Sequence, residues 1–209
     1  MSMYKLIFDL GANRGQNLKY YLSNADKVVA VEANPDLVKD INLQFAHEIS
    51  NGRLIVINKC ISEENAPNSI VDFYVNKFDS GLSRFTPPKY HPEDFTVIQI
   101  ESVSYSQLLR DYGQPEFVKI DLEGYDKILL NNLIENDLLP AYLSTENCGL
   151  PILNKLIASG RYNCYNIVSF YNYEDYYVKT TNKTAGPFGK DIKSPWLSEQ
   201  DILELYSKM

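Results

Sequence analysis

The fold of this chain is decided by the stretch Ile7-Phe8-Asp9-Leu10-Gly11-Ala12-Asn13-Arg14-Gly15-Gln16-Asn17. Its start continues an apolar run from Tyr4, which is typical of a buried strand, and the residues from Arg14 to Leu22 predict a helix. The two glycines fall in the turn between them, where backbone N–H groups at a helix N-terminus meet a ligand. The stretch therefore predicts a cofactor-binding turn after the first strand.

Strands and helices then alternate along the chain. Short apolar runs over Lys27 to Glu32 and Arg53 to Asn58 predict two more strands, and the residues from Pro35 to Glu48 predict a helix between them. The later segments that continue the pattern are 104–112, 116–121, 126–136 and 141–145. This alternation predicts an α/β, doubly wound and mostly parallel sheet with helices on both faces.

The remaining segments are less regular. Residues 69–76 and 95–103 predict strands around a loop at 78–92, and alternating residues over 161–177 predict closing strands. A second loop at 180–195 precedes a final helix that begins at Ser198. We expect one domain over residues 1–209, with the 78–92 and 180–195 loops as substrate or lid loops.

Composition limits the partners of the protein. The chain has 209 residues, a net charge of −7 and 44% hydrophobic residues, so it lacks the basic footprint of a nucleic-acid-binding protein. No apolar run approaches the ~18 residues of a membrane span, and no signal peptide is visible, which predicts a cytoplasmic protein without a membrane partner.

The three cysteines, Cys60, Cys148 and Cys164, show neither disulfide nor zinc spacing. The sequence leaves the oligomeric state open.

The glycine turn indicates which cofactor to expect. In a nicotinamide-binding turn the middle glycine lets the backbone approach a pyrophosphate, and here Asn13 occupies that place. A ligand without a pyrophosphate, such as S-adenosylmethionine, fits better. Glu32 ends the second predicted strand, 21 residues after Gly11, where an acid can accept hydrogen bonds from both ribose hydroxyls.

A third motif makes the resemblance specific. Lys119-Ile120-Asp121-Leu122-Glu123-Gly124 is again an apolar strand that ends in acids and a glycine. Together with the first turn, Val31-Glu32-Ala33-Asn34-Pro35 and the Ser80-Gly81-Leu82-Ser83 loop, it resembles the FkbM family of S-adenosylmethionine-dependent methyltransferases over residues 4–147. The resemblance implies a class I, Rossmann-like methyltransferase sheet of seven strands, bound S-adenosylmethionine, and methylation of a hydroxyl oxygen on a small molecule, sugar or glycan.

The resemblance also implies roles for individual residues. At the methionine end of the cofactor it implies the turn residues Asp9, Gly11, Ala12, Asn13, Gly15 and Asn17. Glu32 would contact the ribose and Ala33 one adenine face, and the residues near the adenine would be Cys60, Ile61 and Ser62. Asp121 would lie beside the methyl donor.

A hydroxyl acceptor must lose its proton, which a carboxylate within hydrogen-bond reach can take. Asp121 and Glu123 are the first candidates for this base, and Glu146, at the end of the next strand, is the third. Glu123 with Gly124 can instead shape the turn. Three acids at one edge can also hold Mg²⁺ or Ca²⁺, but no spacing demands it, so we expect no metal.

Two other functions remain open at this point. One is an NAD(P)-dependent oxidoreductase on a Rossmann-like fold, against which Asn13 counts. The other is a non-catalytic protein that binds S-adenosylmethionine and tolerates the loss of Asp121 and Glu123.

Overall fold

The computed structural model describes residues 4–62, 68–168, 188–192 and 194–208. By its contacts the chain divides into two compact units, residues 1–146 and residues 147–209. In chain order the first unit contains β1 (Tyr4–Leu10), α1 (Leu18–Asn24), β2 (Ala25–Val31), α2 (Pro35–Gln44), α3 (Ala46–Ser50), β3 (Leu54–Ile57), β4 (Cys60–Ser62), β5 (Ile70–Asn76), β6 (Phe95–Ser104), α4 (Tyr105–Tyr112), β7 (Phe117–Ile120), α5 (Asp126–Glu135) and β8 (Tyr142–Thr145).

The main sheet of the first unit has five parallel strands in the order β3-β2-β1-β7-β8. From β1 the chain proceeds through α1 to β2, and from β7 it proceeds in the opposite direction through α5 to β8. Because such crossovers are right-handed, α1 and α5 cover opposite faces of the sheet. The α/β, doubly wound and mostly parallel fold predicted from the sequence is confirmed.

The strands of this sheet end level with one another. Leu10 pairs with Val31 on one side and with Ile120 on the other, and Ile120 pairs in turn with Thr145. The residues that follow these strands are Gly11, Glu32, Asp121 and Glu146. In-register pairing therefore brings the predicted functional residues to one edge.

A second sheet of three strands lies beside the end of β2. Its order is β4-β6-β5, with β4 parallel and β5 antiparallel to β6. Ala33, which follows Glu32, packs against this sheet in an apolar cluster with Cys60, Phe73 and Ile100. Among the residues that the structure describes, the main sheet thus has five strands instead of the seven that the resemblance implied, and β5 and β6 pair with β4 in a sheet of their own.

Two predicted helices differ in their bounds. The first begins at Leu18 instead of Arg14, because the positive φ of Asn13 and Gly15 keeps the preceding residues in a turn. The helix predicted from Pro35 to Glu48 breaks at Phe45, whose φ of −113° and ψ of 28° separate α2 from α3.

The second unit contains α6 (Leu150–Ala158), a 3₁₀ turn (Gly189–Asp191) and α7 (Glu199–Tyr206). Residues 161–168, where closing strands were predicted, contain no strand but only a bridge between Tyr165 and Leu197. The rest of that prediction, 169–177, and most of the 180–195 loop lie outside the described residues. Among the helices described, none is long and apolar enough to cross a bilayer.

Candidate functional site

A cleft opens at the carboxyl edge of the main sheet, between the ends of β1 and β7. Since the chain leaves these neighbouring strands in opposite directions, the connections diverge and leave a crevice, which is where ligands bind in such sheets. The cleft has a volume of about 590 Å³, part of it open to solvent. Its lining includes the residues that directly follow β1, β2 and β7, namely Gly11, Glu32 and Asp121.

Gly11 lets the turn after β1 approach the turn after β7. The N–H groups of Gly11 and Ala12 both donate to the carbonyl of Val31, at 3.0 Å each. A Cβ on Gly11 would lie only 1.9 Å from the backbone oxygen of Asp121, and its φ is +81°. Only glycine meets both requirements.

Glu32, directly after β2, connects the first turn to the second. Its Oε2 accepts the N–H of Asn13 at 2.7 Å, and its Oε1 accepts the N–H of Asn34 at 2.8 Å. Burial raises the pKa of Glu32 to about 7, although these two backbone donors oppose the rise. Each carboxylate oxygen has two lone-pair directions, so each keeps one position free to accept a hydrogen bond from a ligand.

Lys119, a buried lysine on β7, connects the first turn to the third. Its Nζ donates to the carbonyl of Gly11 at 2.6 Å and lies 3.3 Å from Asp9 Oδ1 and 3.2 Å from Asp121 Oδ2. Burial alone would lower the pKa of Lys119, but the two carboxylates outweigh it and raise that pKa. The ammonium group is thus charged and surrounded by three oxygens.

Three carboxylates meet at the far side of the cleft. One oxygen from each of Asp121, Glu123 and Glu146 lies within 4.8 Å of the others. Burial first, and then the charges of Asp121 and Glu146, raise the pKa of Glu123 to about 7, while Arg84 opposes the rise. Burial also raises the pKa of Glu146. The spacing suits acids that share a proton and also suits a divalent cation, so the absence of a metal stays a prediction.

The turn that carries Glu123 is held in part by another residue. Asp126 accepts the N–H of Leu122 at 3.1 Å and that of Gly124 at 3.1 Å. Glu123 itself has a φ of +50°, a conformation that is uncommon outside glycine and is found at functional sites. Gly124 also has a positive φ, of +96°, so the backbone of these two residues shapes the turn as the alternative stated, and the role of Glu123 as a base stays a prediction.

Part of the cleft lining is apolar. Ala33, Cys60, Ile61 and Phe73 form this apolar wall. Burial, followed by the charge of Glu32, raises the pKa of the Cys60 thiol to about 12. Cys60 therefore contributes a neutral side chain, and the wall suits a flat apolar ring.

The 78–92 loop reaches the cleft through a short 3₁₀ turn, Ser80–Leu82. The hydroxyl of Ser80 donates to Asn13 Oδ1 at 2.9 Å. Farther along the loop, the ring of Phe85 packs edge-on against Tyr125 with 5.0 Å between centroids, and both rings line the cleft. The loop is placed to contact a ligand, and its role as a substrate loop stays a prediction.

The structure brings most of the predicted residues to the cleft. Those that line it are Gly11, Asn13, Glu32, Ala33, Cys60, Ile61, Asp121 and Glu123, and Glu146 adjoins the last two. Five predicted residues do not line it, namely Asp9, Ala12, Gly15, Asn17 and Ser62. Each of the five is buried. A Cβ on Gly15 would meet Leu18 at 3.0 Å and Ile41 at 3.1 Å, so this glycine lets helices pack.

Sequence reasoning missed several residues of the site. The clearest is Lys119, which lies in the third motif but received no role there. Its signal was a charged residue in an otherwise apolar strand, because a buried lysine requires a partner. Phe73, Phe85 and Tyr125 carried no comparable signal, since aromatic residues in strands and loops serve many purposes.

The chain matches the family model of the methyltransferase FkbM domain over residues 9–141, which is more than half of its length. The chain belongs to the FkbM methyltransferase family. The matched range contains the first turn, Glu32 and the acidic turn after β7, and ends just before Glu146.

The FkbM chain also resembles solved structures at low identity. One is a methyltransferase FkbM from Methylobacillus flagellatus KT, at 14% identity and a TM-score of 0.41, covering 69% of this chain and 33% of that one. Another is the YcgJ protein from Bacillus subtilis, at 16% identity and a TM-score of 0.26, covering 32% and 28%. The chain thus spans about a third of the length of these proteins. No curated protein matched it.

Proposed function

We propose that this FkbM-family chain is an S-adenosylmethionine-dependent methyltransferase that methylates a hydroxyl oxygen of a small molecule, sugar or glycan. The observation that carries the proposal is the cleft itself, which is lined by Glu32 after β2 and by Asp121 and Glu123 after β7, on the two sides of β1. Family membership supports the class of reaction, and the chemistry of the cleft supports the cofactor and the acceptor atom.

The residues of the cleft fit S-adenosylmethionine. Glu32 keeps one acceptor position on each carboxylate oxygen, as two ribose hydroxyls require. The apolar wall with Ala33 and Phe73 suits the adenine ring, and Gly11 and Asn13 would hold the methionine end. A dinucleotide fits less well, because Asn13 occupies the place where a pyrophosphate needs glycine.

When bound, S-adenosylmethionine supplies an electrophilic methyl group on a sulfonium ion. The chain must then hold the acceptor oxygen in line with that group, exclude water, and take the hydroxyl proton. The proposed acceptor position lies beside the carboxylate cluster, below Phe85 and Tyr125. Because the cluster is acidic, it favours neutral hydroxyl acceptors over phosphorylated or carboxylated ones.

Among the three candidate bases, we assign the proton transfer to Glu123. Asp121 is already engaged in an ion pair with the Lys119 ammonium at 3.2 Å. Glu123 combines a strained backbone with a pKa raised to about 7 by burial and neighbouring acids. A base with a pKa near the working pH is efficient. Glu146 is the most exposed of the three and supports Glu123 by its charge.

The proposal is tested by methyl transfer from isotope-labelled S-adenosylmethionine to a panel of hydroxylated acceptors, with the product identified by NMR. We expect an O-methyl ether, and a rate that rises with pH through about 7 as Glu123 loses its proton. Glu123→Gln should lower the rate about 10²- to 10⁴-fold, with little change in affinity for S-adenosylhomocysteine. Glu135→Gln, at an exposed position that ends α5, is the matched control.

Three outcomes would contradict the proposal. Methylation of a nitrogen or carbon atom would contradict the assignment of a hydroxyl oxygen as the acceptor. Binding of S-adenosylhomocysteine without any transfer, unaffected by Glu123→Gln and Asp121→Asn, would indicate a non-catalytic cofactor-binding protein. Reduction or oxidation with a nicotinamide cofactor would indicate an oxidoreductase.

A further inference from the structure

A buried lysine, Lys119, lies among acids at the ends of neighbouring strands. The side chain of Lys119 is 2% exposed and that of Asp9 is fully buried, whereas Asp121 is 29% exposed and faces the cleft. On one side the ammonium group contacts Asp9, which is shielded from solvent. On the other side it contacts Asp121 and the Gly11 carbonyl, and both of these residues line the cleft.

The charge of Lys119 reaches acids on four strands or their ends. Besides Asp9 on β1 and Asp121 after β7, it lowers the pKa of Glu32 after β2 and of Glu146 after β8 against the effect of burial. Glu123 faces Asp121, Glu146, Asp126 and Arg84 instead. Lys119 is thus the cation shared by the proposed ribose site and the proposed acceptor site.

We propose that Lys119 is a positioning residue for cofactor binding: its ammonium fixes the Gly11 carbonyl and the Asp121 carboxylate, and supplies the positive charge that the Glu32 carboxylate faces. This inference rests on the proposed binding of S-adenosylmethionine. It differs from a purely structural role, in which the lysine only neutralises Asp9 inside the sheet.

Asp9 has a distinct part in this arrangement. Its carboxylate is too deep to touch a ligand and lies 3.3 Å from Lys119 Nζ. Attraction from this side holds the end of the long lysine side chain in place before a ligand binds, so the entropy cost of ordering it does not fall on ligand binding. Asp9 acts on the cleft through Lys119, which explains why an acid precedes the glycine turn.

The experiment separates the two roles by removing the cation in a background where Asp9 is already neutral. Asp9→Asn alone is the reference, and Asp9→Asn with Lys119→Gln is the test, because glutamine still has a donor for the Gly11 carbonyl. Lys127→Gln, at an exposed position on α5, is the matched control in the wild-type chain. Each protein is melted thermally and titrated with S-adenosylhomocysteine by calorimetry from pH 6 to pH 9.

We expect the double variant to fold and to bind S-adenosylhomocysteine about tenfold more weakly at pH 7 than Asp9→Asn does. The difference should shrink toward pH 9, because a carboxylate without a nearby cation ionises at higher pH. A double variant that does not fold, or that binds with the affinity and pH profile of Asp9→Asn, overturns the inference in favour of a structural lysine. Failure of the wild type to bind would instead overturn the proposed function.

Discussion

Three glycines of this chain share a positive φ but differ in what surrounds them. Gly52 has φ +75° and no atom within 4 Å of the position that a Cβ would take, Gly15 would press on side chains, and Gly11 would meet a backbone oxygen at 1.9 Å. The same substitution at the three positions therefore separates backbone strain from steric conflict.

We predict that alanine substitutions destabilise the protein in the order Gly11, Gly15, Gly52. Gly52→Ala should cost about 1 kcal/mol of unfolding free energy from strain alone. Gly15→Ala should add about 1–3 kcal/mol for overpacking against Leu18 and Ile41, and Gly11→Ala should prevent folding. Urea unfolding measures the series. Equal losses at Gly11 and Gly52 would show that the two turns do not approach as described.

Single residues of the site could be predicted from the sequence where their position in a motif indicates one role. Asn13 and Glu32 were identified from their spacing, and both line the cleft. Lys119 was missed because its partners, Asp9 and the Gly11 carbonyl, are about 110 positions away in the chain and adjacent only through the pairing of β1 with β7. Asp9 was expected at the ligand for a related reason: a sequence does not reveal which buried partner an acid has.

Among the elements, the 78–92 loop connects the proposed acceptor side of the cleft to the cofactor turn. The connection is the hydrogen bond from Ser80 to Asn13, whose own N–H donates to Glu32. A ligand that orders one of these groups should therefore stabilise the others.

We predict that Ser80→Ala weakens binding of S-adenosylhomocysteine by about threefold to tenfold, the effect of one lost hydrogen bond of about 0.5–1.5 kcal/mol. Ser50→Ala, at the exposed end of α3, is the control and should leave the affinity unchanged. Calorimetric titration of the two variants measures the difference. Identical affinities would mean that the loop binds independently of the cofactor turn.

Elements with strong patterns were predicted well, and those that depend on distant contacts were not. Asn34 caps α2 through its side chain and Pro35 follows it in the first turn, a local pattern typical of a helix start. By contrast, β4 is only three residues long and becomes a strand by pairing with β6, about forty positions later, which no local pattern reveals. The second sheet follows from that pairing.

At the scale of the whole molecule, charge should distinguish the proposed methyl donor from its product. The chain has a net charge of −7, and the charged residues that line the cleft are Glu32, Asp121, Glu123 and Lys59, of which Lys59 is paired with Glu101 at 3.0 Å. S-adenosylmethionine carries one more positive charge than S-adenosylhomocysteine, so the field of the protein favours the donor. The first unit, residues 1–146, contains every described residue that lines the cleft.

We predict that added salt weakens binding of S-adenosylmethionine more than binding of S-adenosylhomocysteine. Screening shortens the reach of charges from about 10 Å at 0.1 M to about 3 Å at 1 M ionic strength, which reduces only the attraction for the extra charge. Titrations of both ligands between these salt concentrations measure the slopes. Parallel slopes would contradict an electrostatic preference for the donor.

The most direct test of the assigned cleft is a calorimetric titration of the wild-type protein with S-adenosylhomocysteine and, in parallel, with NAD. We predict micromolar binding of S-adenosylhomocysteine that strengthens as the pH rises through about 7, where the buried Glu32 loses its proton. Glu32→Gln should weaken that binding and abolish its pH dependence, and NAD should not bind. Binding of NAD alone, or S-adenosylhomocysteine binding that Glu32→Gln leaves unchanged, would contradict the assignment of the cleft.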